Sequence, residues 1–171
     1  MPGFFAARRA ASLVLALVCF ALIGYALYLQ HYQGFDPCPL CIFQRVGLIA
    51  LGCSLLFTLI LPDGVTALRR LGALLVLLAA AGTAGVAIRH LYIQALPEGL
   101  VPTCGASLDY MLDAFPLADV LRKVLTGSGE CHRVDWTFLG LAMPAWVLAW
   151  ATLLGGAGFW VNWRRPGAAR R

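Results

Sequence analysis

The chain has 171 residues, 61% of them hydrophobic and 12% charged, with a mean hydropathy of +0.81. A soluble domain of this size carries about 25% charged residues, so the composition excludes an ordinary water-soluble fold. The net charge of +5 is spread over the ends of apolar runs, which marks membrane orientation and argues against nucleic-acid binding.

In chain order, uncharged runs extend from Ala10 to Leu29, Val46 to Leu61, Leu71 to Ile88 and Trp136 to Val161. They are continuous rather than alternating, which predicts helices and not barrel strands. A helix spans the hydrocarbon with roughly 20 apolar residues, and the second run reaches that length only from Ile42, taking in Gln44 and Arg45. The reading is an all-α membrane protein, a four-transmembrane-helix bundle forming a single integral membrane domain over residues 1–171. Its spans lie near 10–29, 42–61, 71–89 and 137–161, with outer loops near 30–41 and 90–136. The first apolar run exceeds the ~7–15 residues of a signal-peptide core and reads as a retained span. Four spans bring both termini to one side. Arg8, Arg9, Arg69, Arg70, Arg164, Arg165, Arg170 and Arg171 fall there with Asp63 as the only acid, which predicts cytoplasmic termini.

Of six cysteines, Cys19 and Cys53 lie within the first two spans and read as small buried hydrophobes. Cys38, Cys41, Cys104 and Cys131 fall in the two outer loops, where an oxidising compartment favours disulfides. Taken alone, the pair in "DPCPLCIFQR" fits a redox centre, a structural disulfide or part of a four-cysteine zinc site. Pro39 suits the first position of a helix, which makes Cys38 the cap and sets Cys41 at the third helical residue. There the unpaired N–H groups and the helix dipole favour a thiolate. Arg45 lies one turn further along the same face. It either snorkels to the headgroups or faces a site, as ionisable residues within spans usually do. Cys41 beside Arg45 at bilayer depth suits a lipid-soluble electron acceptor such as a quinone.

His90 closes the third span beside Arg89, either as an interfacial polar residue or near the mouth of the second span. In "SLDYMLDAFPLADVLRKVL", apolar residues recur at helical spacing on both sides of Pro116. This predicts a short amphipathic helical segment in the second outer loop, lying on the membrane or packed on the loop bearing Cys38. The glycines of "TGSGECHR" predict a flexible tether for Cys131. Pro144, Gly155, Gly156 and Gly158 read as kinking and close-packing residues of the last span.

Together "PCPLCIFQR", the His90 region leading to "PTC" at Cys104, and "SGECHRVDWTFLGLAMPAW" resemble the bacterial disulfide bond formation protein B family over nearly the whole chain. The resemblance implies a protein-disulfide:quinone oxidoreductase of the bacterial inner membrane, with cytoplasmic termini and periplasmic cysteine loops. It implies that a reduced DsbA-like thiol oxidase attacks a Cys104–Cys131 disulfide at Cys104, that Cys131 attacks Cys38, and that Cys41 passes electrons to ubiquinone or menaquinone. By the same resemblance Arg45 supports quinone binding and His90 lies near that site; no metal is implied. Gln44 departs from the best-known member, which has an acid there, and the stretch from His90 to Cys104 is one residue longer. Vitamin K epoxide reductase-like proteins resemble the chain less, because their Cys-x-x-Cys lies on a later span. A non-enzymatic membrane protein with zinc or static disulfides in its loops is the alternative from another class.

Overall fold

A computed structural model describes residues 2–62, 64–97, 113, 115–116, 118–120, 124, 129–132, 134 and 136–164. Among the described residues, four helices are long and apolar enough to cross a membrane: α1 (Pro2–Gln33), α2 (Pro39–Ile60), α3 (Thr66–Gln94) and α5 (Met143–Trp163). Between α3 and α5 lie the single-turn α4 (Gly129–His132) and a hairpin of β1 (Thr137–Phe138) and β2 (Leu141–Ala142). The chain is a multi-pass membrane protein built as a four-helix bundle.

Local chemistry sets the helix starts. Cys38 is the N-cap of α2, with Pro39 in the first turn, and its Sγ accepts the Cys41 N–H at 3.3 Å. Pro144 likewise occupies the first turn of α5, where a missing N–H costs nothing. The expectation of a kink at Pro144 is therefore corrected: this proline begins the last span. The start also moves from residue 137 to Met143, because residues 137–142 form the hairpin. Its register pairs Thr137 with Ala142 and Phe138 with Leu141. The two turn residues, Leu139 (φ 51°) and Gly140 (φ 78°), are both left-handed, as a two-residue hairpin turn requires.

Helix α3 packs along α5 and α2, and α1 packs along α2. Leu48, Leu51 and Leu55 of α2 meet Val76 and Ala80 of α3, Leu154 of α5, and Ala16 and Cys19 of α1. Lipid gives helices no hydrophobic drive toward one another, so close approach through small residues must hold them. Gly158 illustrates this: a Cβ there would lie 2.7 Å from Leu55 Cδ2 and 3.0 Å from Val76 Cγ1. The opposite faces stay apolar and exposed, as at Val14, Ile60, Leu78 and Leu153. Cys19 is buried as expected, but Cys53 is exposed on the outer face of α2, because the buried stripe of that helix runs through Leu48, Leu51, Gly52 and Leu55.

At the end of the bundle remote from Cys38, Arg8 and Arg69 are each only 2% exposed. Arg8 Nη1 donates to Thr58 O at 3.1 Å and to Asn162 Oδ1 at 2.9 Å, and Asn162 Nδ2 donates to Ser12 Oγ at 3.2 Å. Arg69 donates to the carbonyls of Asn162 and Arg164. These arginines thus tie α1, α2, α3 and α5 together, besides marking one end of the spans.

Candidate functional site

The opposite end gathers most of the sequence-predicted residues. Cys38 donates its S–H toward Cys41 Sγ at 2.9 Å, and its side chain is also hydrogen-bonded to that of Cys131. Three sulfurs from two separate segments therefore meet at Cys38. Cys131 sits on α4 and is 1% exposed, packed with Leu40, Ile93, Val120 and Val124. His132 Nε2 bonds Leu96 O at 2.8 Å and fastens α4 to the end of α3. The expected tether is not what holds Cys131 in place. It occupies a packed helical turn, and residues 127–128 lie outside the described ones. The predicted amphipathic segment also lies largely outside them; of its described apolar positions, Val120 and Val124 pack inward against Leu40 and Cys131, whereas Phe115 is exposed. Cys104 lies outside the described residues.

Opposing influences act on the Cys38 thiol. Its hydrogen bond with Cys131 lowers the pKa, but the hydrogen bond with Cys41, burial and the Cys41 charge together outweigh it. The thiol is pushed up to about 12. Cys38 therefore keeps its proton at neutral pH.

His90 is 2% exposed, about one turn before the end of α3 rather than at its end, since the helix runs on to Gln94. Its Nε2 lies 3.1 Å from Cys131 O and 3.8 Å from Cys38 Sγ, and its Nδ1 lies 3.0 Å from Gln44 Nε2. The ligand atoms of Cys38, Cys41 and His90 fall within 4.8 Å of one another, close enough to hold a soft metal. A carbonyl oxygen only accepts, however, so the contact with Cys131 O requires a hydrogen on Nε2. In this arrangement His90 has no Nε2 lone pair to offer an ion.

On the other side of Cys41 opens a cavity of about 340 Å³ between α1, α2, α5 and the hairpin. Its walls are apolar and aromatic, including Leu22, Leu48, Phe138, Trp146 and Trp150, with Gln44 and Arg45 as polar groups beside Cys41. Phe138 packs against Trp136 and Trp146 at ring-centroid separations of 6.1 and 5.7 Å, and Trp146 Nε1 donates to Phe138 O at 3.1 Å. Arg45 reaches across to α1, donating Nη1 to Gln30 Oε1 and Nη2 to Ala26 O at 3.2 Å. A mostly apolar cavity with a few convergent polar groups suits a flat, lipid-soluble ligand that has a hydrogen-bond acceptor. His90 is not among the residues lining this cavity. It lines a smaller cleft with Asp36, Cys38, Cys41 and Arg45. Cys41 and Arg45 border both spaces.

Sequence reasoning missed Gln44, Trp136, Phe138 and Trp146 as site residues. The signals available were a polar side chain three residues after Cys41 and the Trp146–Trp150 spacing along one helix face.

Comparison with known proteins bears on this geometry. Residues 8–161 match the family model described as Disulfide bond formation protein DsbB. The chain is 49% identical over 140 residues to Disulfide bond formation protein B of Acinetobacter baylyi, covering 81% of this chain and 82% of that protein. The protein of the same name in Acinetobacter baumannii is 47% identical over 146 residues, 85% of each chain. That of Chromobacterium violaceum is 42% identical over 156 residues, 91% of this chain and 92% of the relative. With four apolar spans and a cysteine cluster at one end of the bundle, the chain belongs to the disulfide bond formation protein DsbB family.

Proposed function

We propose that this protein reoxidises a DsbA-like thiol oxidase by disulfide exchange and delivers the electrons to a membrane quinone, as a protein-disulfide:quinone oxidoreductase of the bacterial inner membrane. One observation carries the reading: Cys41 borders both the sulfur cluster and the apolar cavity, so a single thiol faces the protein thiols on one side and a lipid-soluble acceptor on the other.

The exchange starts from disulfides joining Cys104 to Cys131 and Cys38 to Cys41. A thiolate of the partner attacks Cys104, forms a mixed disulfide, and releases Cys131 as thiolate. Cys131 Sγ then bonds to Cys38 Sγ, the Cys38–Cys41 bond breaks, and its electron pair leaves on Cys41. The partner's second thiol resolves the mixed disulfide, departs oxidised and frees Cys104, whose thiolate attacks Cys131, re-forms the Cys104–Cys131 disulfide and releases Cys38. The contact between Cys38 and Cys131 supports the second step. The capping N–H of Cys41 donates to Cys38 Sγ, the sulfur under attack. A quinone bound in the 340 Å³ cavity would supply the two-electron oxidation that the freed Cys38 and Cys41 thiols need to close their disulfide. Arg45 would donate to its carbonyl, and the aromatic walls would hold its ring while excluding water. The arginines at the far end of the bundle support cytoplasmic termini and periplasmic cysteines.

Turnover of quinone by a reduced DsbA-like partner, compared between the wild-type protein and Cys41→Ser, tests this. The variant is expected to reduce no quinone, whereas unchanged turnover would exclude Cys41 as the electron donor.

A further inference from the structure

Gln44 takes no part in the scheme above, yet it is 2% exposed, its side chain is hydrogen-bonded to His90, and it stands within the second span. Burying an amide in a membrane helix is costly unless it is hydrogen-bonded, as Gln44 is to His90. The identity of that partner's proton can be worked out from two sides. Cys131 O accepts only, so the 3.1 Å contact sets a hydrogen on His90 Nε2. Neutral imidazole then carries its lone pair on Nδ1, and the atom facing Nδ1 at 3.0 Å is the Gln44 amide nitrogen, a donor. Both contacts are satisfied by the one tautomer.

The Nε2–H fixed in this way points between two groups that must meet. It bonds the backbone carbonyl of Cys131 and lies 3.8 Å from Cys38 Sγ. We infer that Gln44 is a positioning residue for the exchange between Cys131 and Cys38: it holds His90 as the Nε2–H tautomer, and that N–H secures the Cys131 segment against the sulfur it attacks. The inference rests on the exchange scheme proposed above. It assigns His90 to thiol exchange, consistent with its absence from the lining of the large cavity.

The chemical step is unaltered by this assignment. Cys131 Sγ bonds to Cys38 Sγ, the Cys38–Cys41 bond breaks, and the electron pair leaves on Cys41; His90 neither gives nor takes a proton. What Gln44 prevents is the other tautomer, with hydrogen on Nδ1. That form would turn a lone pair toward Cys131 O and Cys38 Sγ and push both away. Gln44→Met keeps the length but loses the donor. Gln44→Glu keeps the shape but accepts where the glutamine donates, so it favours the wrong tautomer. A residue that merely fills space would tolerate both.

Two measurements test the inference. Long-range ¹⁵N–¹H spectra of His90 in the wild-type protein in detergent micelles are expected to report Nε2–H; an Nδ1–H signature overturns it. In the second, oxidised, quinone-free full-length protein is mixed with a reduced DsbA-like partner, quenched in acid, alkylated and mapped by mass spectrometry. The Cys38–Cys131 disulfide is expected to form about three- to tenfold more slowly in both Gln44 variants, the effect of one lost hydrogen bond. That slowing should exceed any rise in the quinone KM. An unchanged exchange rate in both variants overturns the inference while leaving the exchange scheme standing. Absence of the Cys38–Cys131 disulfide in the wild-type protein overturns the scheme, and the inference with it.

Discussion

Arg45→Met separates a quinone-binding arginine from a structural one. The guanidinium is half-buried at the edge of the 340 Å³ cavity and is oriented by Gln30 Oε1 and by Ala26 O at 3.2 Å, both on α1. Those two bonds fix the plane of the fork, and an arginine has donors beyond them. A hydrogen bond from a charged donor contributes about 1.5–3 kcal/mol, and roughly 1.4 kcal/mol corresponds to a tenfold change. Arg45→Met is therefore expected to raise the quinone KM about ten- to hundredfold. The KM for the reduced thiol partner should change less than about twofold, since rim contacts far from a protein interface contribute little. Gln30→Leu removes the tether but keeps the cation, and its expected effect is smaller, about two- to fivefold. The assay is steady-state reduction of a short-chain quinone in detergent, with each substrate varied while the other is saturating. Equal rises in both KM values, or no rise for quinone, would refute the reasoning and leave Arg45 as a clamp between α1 and α2.

Gly158→Ala should destabilise the bundle by about 1–3 kcal/mol through overpacking, because the new Cβ would meet Leu55 and Val76. Gly156→Ala, with nothing within 4 Å, should not lower stability; thermal unfolding of the two variants in one detergent compares them. In the reduced protein the Cys38 thiol, pushed up to about 12, should show an alkylation rate by a neutral reagent that still climbs beyond pH 9 instead of levelling there. Because the folded value lies above the ordinary 9.0, the folded state favours the neutral thiol. The corresponding stabilisation is fully present below pH 9 and is lost as pH rises toward about 12, which unfolding in alkaline buffers would register.

The spans were legible because uninterrupted apolar runs have few other fates than crossing a bilayer. The start of α2 was legible because the Cys38–Pro39 cap is written in adjacent residues. What escaped the sequence was long-range pairing and departures from simple helical runs. Arg8 and Arg69 read only as end charges, since nothing local reveals Asn162 as the buried partner that joins α1, α3 and α5. Gln44 and His90 stand on different helices, so a polar residue in a span gave no hint of its imidazole partner. Pro144 was read as a kink because the hairpin before it, closed by left-handed Leu139 and Gly140, carries only one glycine as a turn signal. Cys131 was read as tethered from its glycines, whereas Leu40, Ile93, Val120 and Val124 supply the packing that holds it.

Electron accounting tests the central claim most directly. Protein reconstituted with a quinone is mixed, without oxygen, with a limiting amount of reduced DsbA-like partner, and both quinol and partner disulfide are counted. One quinol for each partner disulfide is expected in the wild-type protein and none in Cys41→Ser. Partner oxidation without quinol, or quinol formed by the variant, would contradict a path from the thiols through Cys41 to the membrane.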